Sequence, residues 1–114
     1  MSTNLAPLVL PPTTIEVAPT ETTLAEFDTR YTEVLTIQVT NASGDAQTFV
    51  GAVYRRLDSS QLWALTTISD LASIADATSV VVDLDVRGTG QIKIAGSLSG
   101  AGGNMIITAR RRAV

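Results

Sequence analysis

Asp83 and Asp85 stand two apart in the run V-V-V-D-L-D-V-R, Val80 to Arg87. On a strand that spacing places both carboxylates on one face, about 7 Å apart. Such a pair could hold Ca²⁺ or serve as acid and base. Calcium needs more oxygen ligands than these two, and neither an EF-hand loop nor a glycine–aspartate repeat supplies them. The expected use is a solvent face, with the aspartates paired to Arg87, Lys93 or an arginine on a neighbouring strand. The glycine runs Gly88-Thr89-Gly90 and Gly100-Ala101-Gly102-Gly103 resemble phosphate loops only in composition. A phosphate loop ends in Lys-Ser/Thr and opens a helix, whereas each of these runs leads into strand-type sequence. They are expected to be turns with positive φ. The chain has no cysteine and no histidine. That removes thiolate chemistry, the commonest general base and the imidazole ligand, and leaves Lys93 as the sole lysine for a Ser-Lys arrangement. No enzymatic activity, cofactor or metal is expected.

Binding chemistry has more to draw on. Trp63, with Tyr54 or Tyr31 near it in the fold, could form a stacking platform for a sugar, although a single tryptophan in a small β domain more often anchors a core or an interface. Arg110-Arg111-Arg112 is the sharpest charge cluster. One triplet in a chain of net charge −3 with 4% aromatic residues is a weak footprint for nucleic acid, so no nucleic-acid partner is expected. Charge is distributed unevenly: residues 1–28 carry Glu16, Glu21, Glu26 and Asp28 and no base, while residues 87–114 carry Arg87, Lys93, Arg110, Arg111 and Arg112 and no acid. A chain acidic at the front and arginine-rich at the back suits contact between copies or with a charged partner. Strand alternation allows only one of Arg55 and Arg56 to face out on a given side.

The elements that must position these groups read as strands. At 114 residues the chain is one domain by length, and 45% hydrophobic content excludes disorder throughout. Charged residues are only 17%, replaced by Thr, Ser, Ala and Gly, as suits strands faced with hydroxyls. Residues 1–14 read as an extended N-terminal arm. Pro7, Pro11 and Pro12 forbid a helix, and Leu5, Leu8, Val9 and Leu10 are too apolar to stay free. Met1 to Pro12 lacks the basic region of a signal peptide, and no apolar run approaches the roughly 20 residues of a membrane span. A soluble protein made in the cytoplasm, without a membrane partner, is the expectation.

Thr13 to Ala18 reads as a first strand, and Thr20 to Asp28 as helix, loop or strand. Tyr31 to Thr40 and Gln47 to Leu57 read as a hairpin joined at Asn41-Ala42-Ser43-Gly44-Asp45. Gln61 to Ile68 is a further strand carrying Trp63, and Ser69 to Ala77 a helical turn or a crossing between sheets. Val80 to Arg112 then reads as three strands in a meander. In the first, Val80, Val82, Leu84 and Val86 share one face; in the second, Ile92, Ile94 and Leu98 alternate with Gln91, Lys93 and Ala95. About seven or eight short strands with a turn signal roughly every ten residues predict an all-β antiparallel β-sandwich or jelly roll over 15–114, preceded by the arm.

The stretch V-x-V-D-L-D-V-R-G-T-G-Q-I-K-I-A-G-S-L-S-G-A-G-G-N-M-I-I-T-A-R-R-R, Val80 to Arg112, resembles the C-terminal part of small β-sandwich virion proteins of tailed bacteriophages. The rest of the chain shares their composition: no cysteine, rich in Thr, Ala and Gly, with a proline-containing arm. The resemblance implies a capsid decoration (cement) protein of the virion, forming a homo-oligomer, with a trimer favoured. Its partners would be the major capsid protein or other virion proteins. It carries over no functional residue. From the residues themselves, the expected interface is the arm and the arginine end: Leu5, Leu8, Val9, Leu10, Arg110, Arg111 and Arg112. The alternatives are a carbohydrate-binding module for host attachment, using Trp63 and Tyr54, and a tail or baseplate subunit.

Overall fold

The computed structural model describes residues 8–113. They form eight strands: β1 (Leu8–Val17), β2 (Thr22–Asp28), β3 (Thr32–Asn41), β4 (Phe49–Arg56), β5 (Ala64–Thr66), β6 (Ser79–Asp85), β7 (Gln91–Leu98) and β8 (Gly103–Ala113). A single 3-10 turn, Ser69–Leu71, interrupts them. The strands make two four-stranded antiparallel sheets, in the orders β1-β8-β3-β6 and β2-β7-β4-β5. The fold is an antiparallel β-sandwich, as the period-two pattern predicts.

That pattern also assigned the faces correctly. On β3, Leu35, Ile37 and Val39 are buried while Thr36, Gln38 and Thr40 face out. On β6 and just beyond it, Val82, Leu84 and Val86 are buried and Asp83 and Asp85 are exposed; on β7, Ile92, Ile94 and Leu98 point into the core. Strand neighbours are another matter. The expected hairpin of Tyr31–Thr40 with Gln47–Leu57 does not form: β3 lies in one sheet and β4 in the other. Nor is Val80 to Arg112 a meander, because β6, β7 and β8 alternate between the sheets. The glycine turns do require positive φ, +76° at Gly88 and +97° at Gly102, yet they carry the chain across the sandwich. Alternation records which face a side chain takes, and says nothing of which strand lies alongside. Among the named strands only β4 and β5 are both consecutive and paired.

The arm expected over residues 1–14 is, where described, part of the sheet. β1 pairs with β8 from Leu8↔Arg110 to Val17↔Gly103, with register shifts on both sides of Leu10, the second spanning Pro11 and Pro12. Proline lacks the N–H of a ladder, and an irregular edge strand is where it can be tolerated. Leu5 lies outside the described residues, as does the side chain of Leu8.

Phe49 is 0% exposed and centres the core. Its ring lies over the cross-strand pair Gly51↔Gly96, and a β-carbon at either glycine would run into it. One end of the sandwich is tied by two buried amides. Asn41 Nδ2 donates to the carbonyls of Gln47 (2.8 Å) and Ile74 (3.0 Å), while its Oδ1 accepts from the backbone N–H and hydroxyl of Ser43. Gln47 Nε2 donates to the Gly102 carbonyl at 2.8 Å, and its Oε1 accepts from the N–H groups of Gly100 and Gly102. These bonds fix the loops between β3 and β4, before β6, and between β7 and β8. The antiparallel run of strands therefore leaves the opposite end to the turns after β2, β4 and β6 and to the start of β1 and the end of β8.

Candidate docking surface

On β4, Tyr54 and Arg56 are two apart and share the outward face, as the alternation requires. Register then chooses their neighbours: Tyr54 is opposite Lys93 and Leu65, and Arg56 is opposite Gln91. The row across this sheet, from β5 to β2, reads Leu65, Tyr54, Lys93, Glu26. Trp63 is half-buried and sits just before β5, which is shorter than the expected strand Gln61–Ile68. The Arg56 guanidinium carbon lies 4.0 Å from the Trp63 ring centroid, and Lys93 Nζ lies 4.7 Å from the Tyr54 ring and 5.1 Å from that of Trp63. Arg56 is held in place by Nε donating to Gln91 Oε1 (2.7 Å) and Nη1 donating to the Gln61 carbonyl (3.2 Å). The Tyr54 hydroxyl donates to Glu21 at 2.7 Å, and that bond pushes its pKa upward. Trp63 and Tyr54 are thus brought together as the sequence suggested, with cations stacked against their rings.

Around this cluster the surface is apolar. Leu57 is 68% exposed, Leu62 93% and Leu65 62%. Leu57, Leu62, Arg55, Arg56, Gln61, Ala64 and Thr89 line a surface hollow of about 400 Å³. Tyr31, 77% exposed, belongs to the same end of the sandwich, in the turn after β2. Sequence reasoning missed these leucines because all three fell inside expected strands. The available signal was Leu57 and Leu62 flanking the polar turn Asp58-Ser59-Ser60, where no core could reach them.

Of the expected interface residues, Val9, Leu10, Arg111 and Arg112 lie toward the same end. Val9 is exposed and Leu10 packs partly against the core. Arg112 pairs with Glu33 at 3.7 Å, and Arg111 shares an opening of about 200 Å³ with Glu26, Asp28, Val9 and Phe27. Arginines of β8 thus lie beside acidic groups of the same chain. Arg56 faces out while Arg55 turns across the sandwich, its Nη1 donating to the Asp85 carbonyl at 2.9 Å.

The paired aspartates do face solvent. Asp83 accepts from the Thr36 hydroxyl at 2.6 Å, and Asp85 accepts from Arg87, with an ion pair of 2.7 Å. Among the described residues no three His, Cys, Asp or Glu side chains gather closely enough to hold a metal ion. Hydrogen bonds from the Arg87 side chain and then its backbone N–H lower the Asp85 pKa from 3.8 to about 2, and nearby Arg55 adds to the effect. A depressed carboxylate contributes stability that is full above its ordinary value and is lost as pH falls from there through about 2. A carbon-detected NMR titration should therefore place the Asp85 midpoint near 2, and Arg87→Ala, which keeps the backbone N–H bond, should move it partway back toward 3.8. An unshifted midpoint in the parent protein would remove the ion pair from this account.

No family model matches the chain, and no curated protein matches it. Among solved structures, the SPBc2 prophage-derived protein YomS is similar over 95% of this chain and 98% of that one, with a TM-score of 0.55 and 14% identity. A structure of the infectious bursal disease virus Gt strain is similar over 94% of this chain and 30% of that one, with a TM-score of 0.45 and 14% identity. At such identity the first likeness speaks to fold, and nothing below rests on the second. No helix among the described residues is long and apolar enough to cross a membrane.

Proposed function

We propose that this chain is a structural protein of a bacteriophage virion, of the capsid decoration (cement) type. In this reading it docks on neighbouring subunits through the end that carries Leu57, Leu62 and Leu65. The observation that carries it is this exposed leucine group beside the Arg56–Trp63 stack. Tryptophan and arginine are the residue types that dominate interface energetics, and contiguous exposed apolar surface marks association sites. The strand order supports the reading too. The hydrogen-bonded pairs β1β8, β2β7, β3β6 and β4β5 follow one another as a single antiparallel ribbon folded across the two sheets. We read this order as a jelly roll, an architecture common in viral coat proteins. The end-to-end likeness to a prophage-derived protein points the same way. Cement activity would consist of bridging adjacent shell subunits, so that burial of the leucine end resists expansion of the shell. A homo-oligomer, with a trimer favoured, would supply several such ends at once and gain by avidity.

The test is co-sedimentation of the purified protein with phage heads depleted of it, alongside its mass in solution by light scattering. Saturable binding that raises the temperature of head rupture supports the proposal. A monodisperse monomer that leaves depleted heads unbound overturns it, and binding to tails alone moves the protein to the tail or baseplate.

A carbohydrate module is the second reading, favoured by the convergence of Trp63 and Tyr54. Its weakness is physical: stacked arginine and lysine occupy ring surface that a sugar would need. Glycan-array binding that Trp63→Ala abolishes while the fold is kept would establish it. An array without binders would leave Trp63 as a protein-contact anchor.

A further inference from the structure

We propose that the outer edge of β6 is a strand-addition site for an extended segment of another protein, one that carries an apolar β-branched residue two positions from an arginine or lysine. The phase of the ladder supplies the first ground. The Val86 N–H donates to the Glu33 carbonyl at 3.1 Å and the Asn41 N–H to the Thr78 carbonyl at 2.9 Å. In an antiparallel pair these bonds recur at every second residue, so Val80, Val82 and Leu84 exchange bonds with β3. Ser79, Val81, Asp83 and Asp85 consequently turn their N–H and C=O groups to the free edge. Arg55 occupies the Asp85 carbonyl, which leaves Ser79, Val81 and Asp83 as the open rung among the described residues.

The other three edges are blunted. β1 carries Pro11 and Pro12 with two register shifts, β2 has a shift between Thr23 and Ala25, and β5 is three residues long. Proline, bulges and shortness are among the means by which proteins prevent edge pairing; β6 has none of these three and carries instead the charges of Asp83 and Asp85. The 3-10 turn before it sends Leu71 into the core against Gly51 and lies beside both β4 and β6, while Ser79, Val81 and Asp83 stay exposed.

Side chains select the occupant. Val81 is 60% exposed, and an apolar β-branched neighbour would cover it. Asp83 is bonded to the Thr36 hydroxyl and to no cation among the described residues. A basic residue opposite it makes the favourable cross-strand pair. A second copy's β6 would instead bring its own Asp83 and Asp85 along the same seam. The inference stands on this edge alone and does not depend on the leucine end or on a virion role.

The experiment uses ¹⁵N-labelled protein and the amidated peptide acetyl-Thr-Val-Thr-Arg-Thr-Val-Thr-Arg-Thr, with a control bearing Glu for Arg. Amide exchange at Val81 and Asp83 should slow by at least ~10-fold under saturating peptide, while Val80, Val82 and Leu84 stay unchanged. Val81→Pro, which removes an edge-facing N–H that β3 does not use, should abolish the effect. Asp83→Lys should shift preference from the Arg peptide to the Glu peptide by roughly two- to fivefold, which keeps the test decisive even if the proline variant fails to fold. Absence of protection at millimolar peptide, equal binding of both peptides, or self-association through β6 would overturn the proposal.

Discussion

Phe49→Ala is expected to remove about 3–5 kcal/mol of folding stability, the upper range for deletion of a buried aromatic side chain. The ring is fully buried, and the surface beneath it is made by Gly51 and Gly96, which have no side chains to move into the space. A cavity that cannot collapse retains the full packing loss. The strand also joins Ile74 through bonds at Phe49 N and O, so a loosened β4 would disturb the crossing loop that leads to β6. For a domain whose total stability is of order 5–15 kcal/mol, the variant should be poorly populated at physiological temperature. Urea unfolding would measure it: a midpoint within about 1 kcal/mol of the parent would show that the ring is not the centre of the core. Phe49→Leu should fall well between the two.

The second large effect concerns association. Changing Leu62 and Leu65 together to aspartate should lower binding to depleted heads by at least ~100-fold, equivalent to about 2.7 kcal/mol. Each leucine is mostly exposed in the free chain, so the same double change should move the unfolding midpoint by no more than about 0.5 kcal/mol. That split, large in binding and negligible in stability, is what a docking surface produces and a core does not. The cost has two sources: the leucines no longer cover apolar surface on the partner, and two carboxylates must be desolvated there. Unchanged co-sedimentation of the double variant would sink the leucine end as the contact.

Fold class was legible in the sequence because alternation is a local property. Leu35, Ile37 and Val39 announce a half-buried strand whatever lies beside it. Pairing was not legible, because the partner of β3 is written at residues 103–113 and nothing local to Thr32–Asn41 names it. Turn chemistry misled in the same way: Gly88 and Gly102 supply the positive φ of a hairpin, and the fold uses that freedom to cross between sheets. The exposure of the aspartate pair was read correctly, since same-face spacing follows from period two. Of the expected charge pairing, only Asp85 with Arg87 is seen among the described residues, Asp83 bonding the Thr36 hydroxyl. Trp63 and Tyr54 were associated on residue type alone, whereas their actual link runs through Lys93, a cross-strand neighbour that only register reveals. Asn41 and Gln47 gave no advance signal as loop ties. A polar residue beside a turn looks exposed until three loops close over it.

The place of β8 between β1 and β3 governs how the chain can reach its fold. The last of the described strands in chain order is an interior member of its sheet, flanked by the first strand and the third. Until it emerges, β1 has no ladder to join and β3 has a neighbour on one side only. Pairings between strands so distant in sequence carry a loop-closure cost before they return any stabilisation, so folding should be slow for a domain of this size and should wait for β8. The nascent chain must then remain unassembled, with its apolar strands uncovered, until β8 has emerged. Its low charge and frequent threonines suit that wait, because hydroxyl-faced strands bind water without offering strong partners to one another.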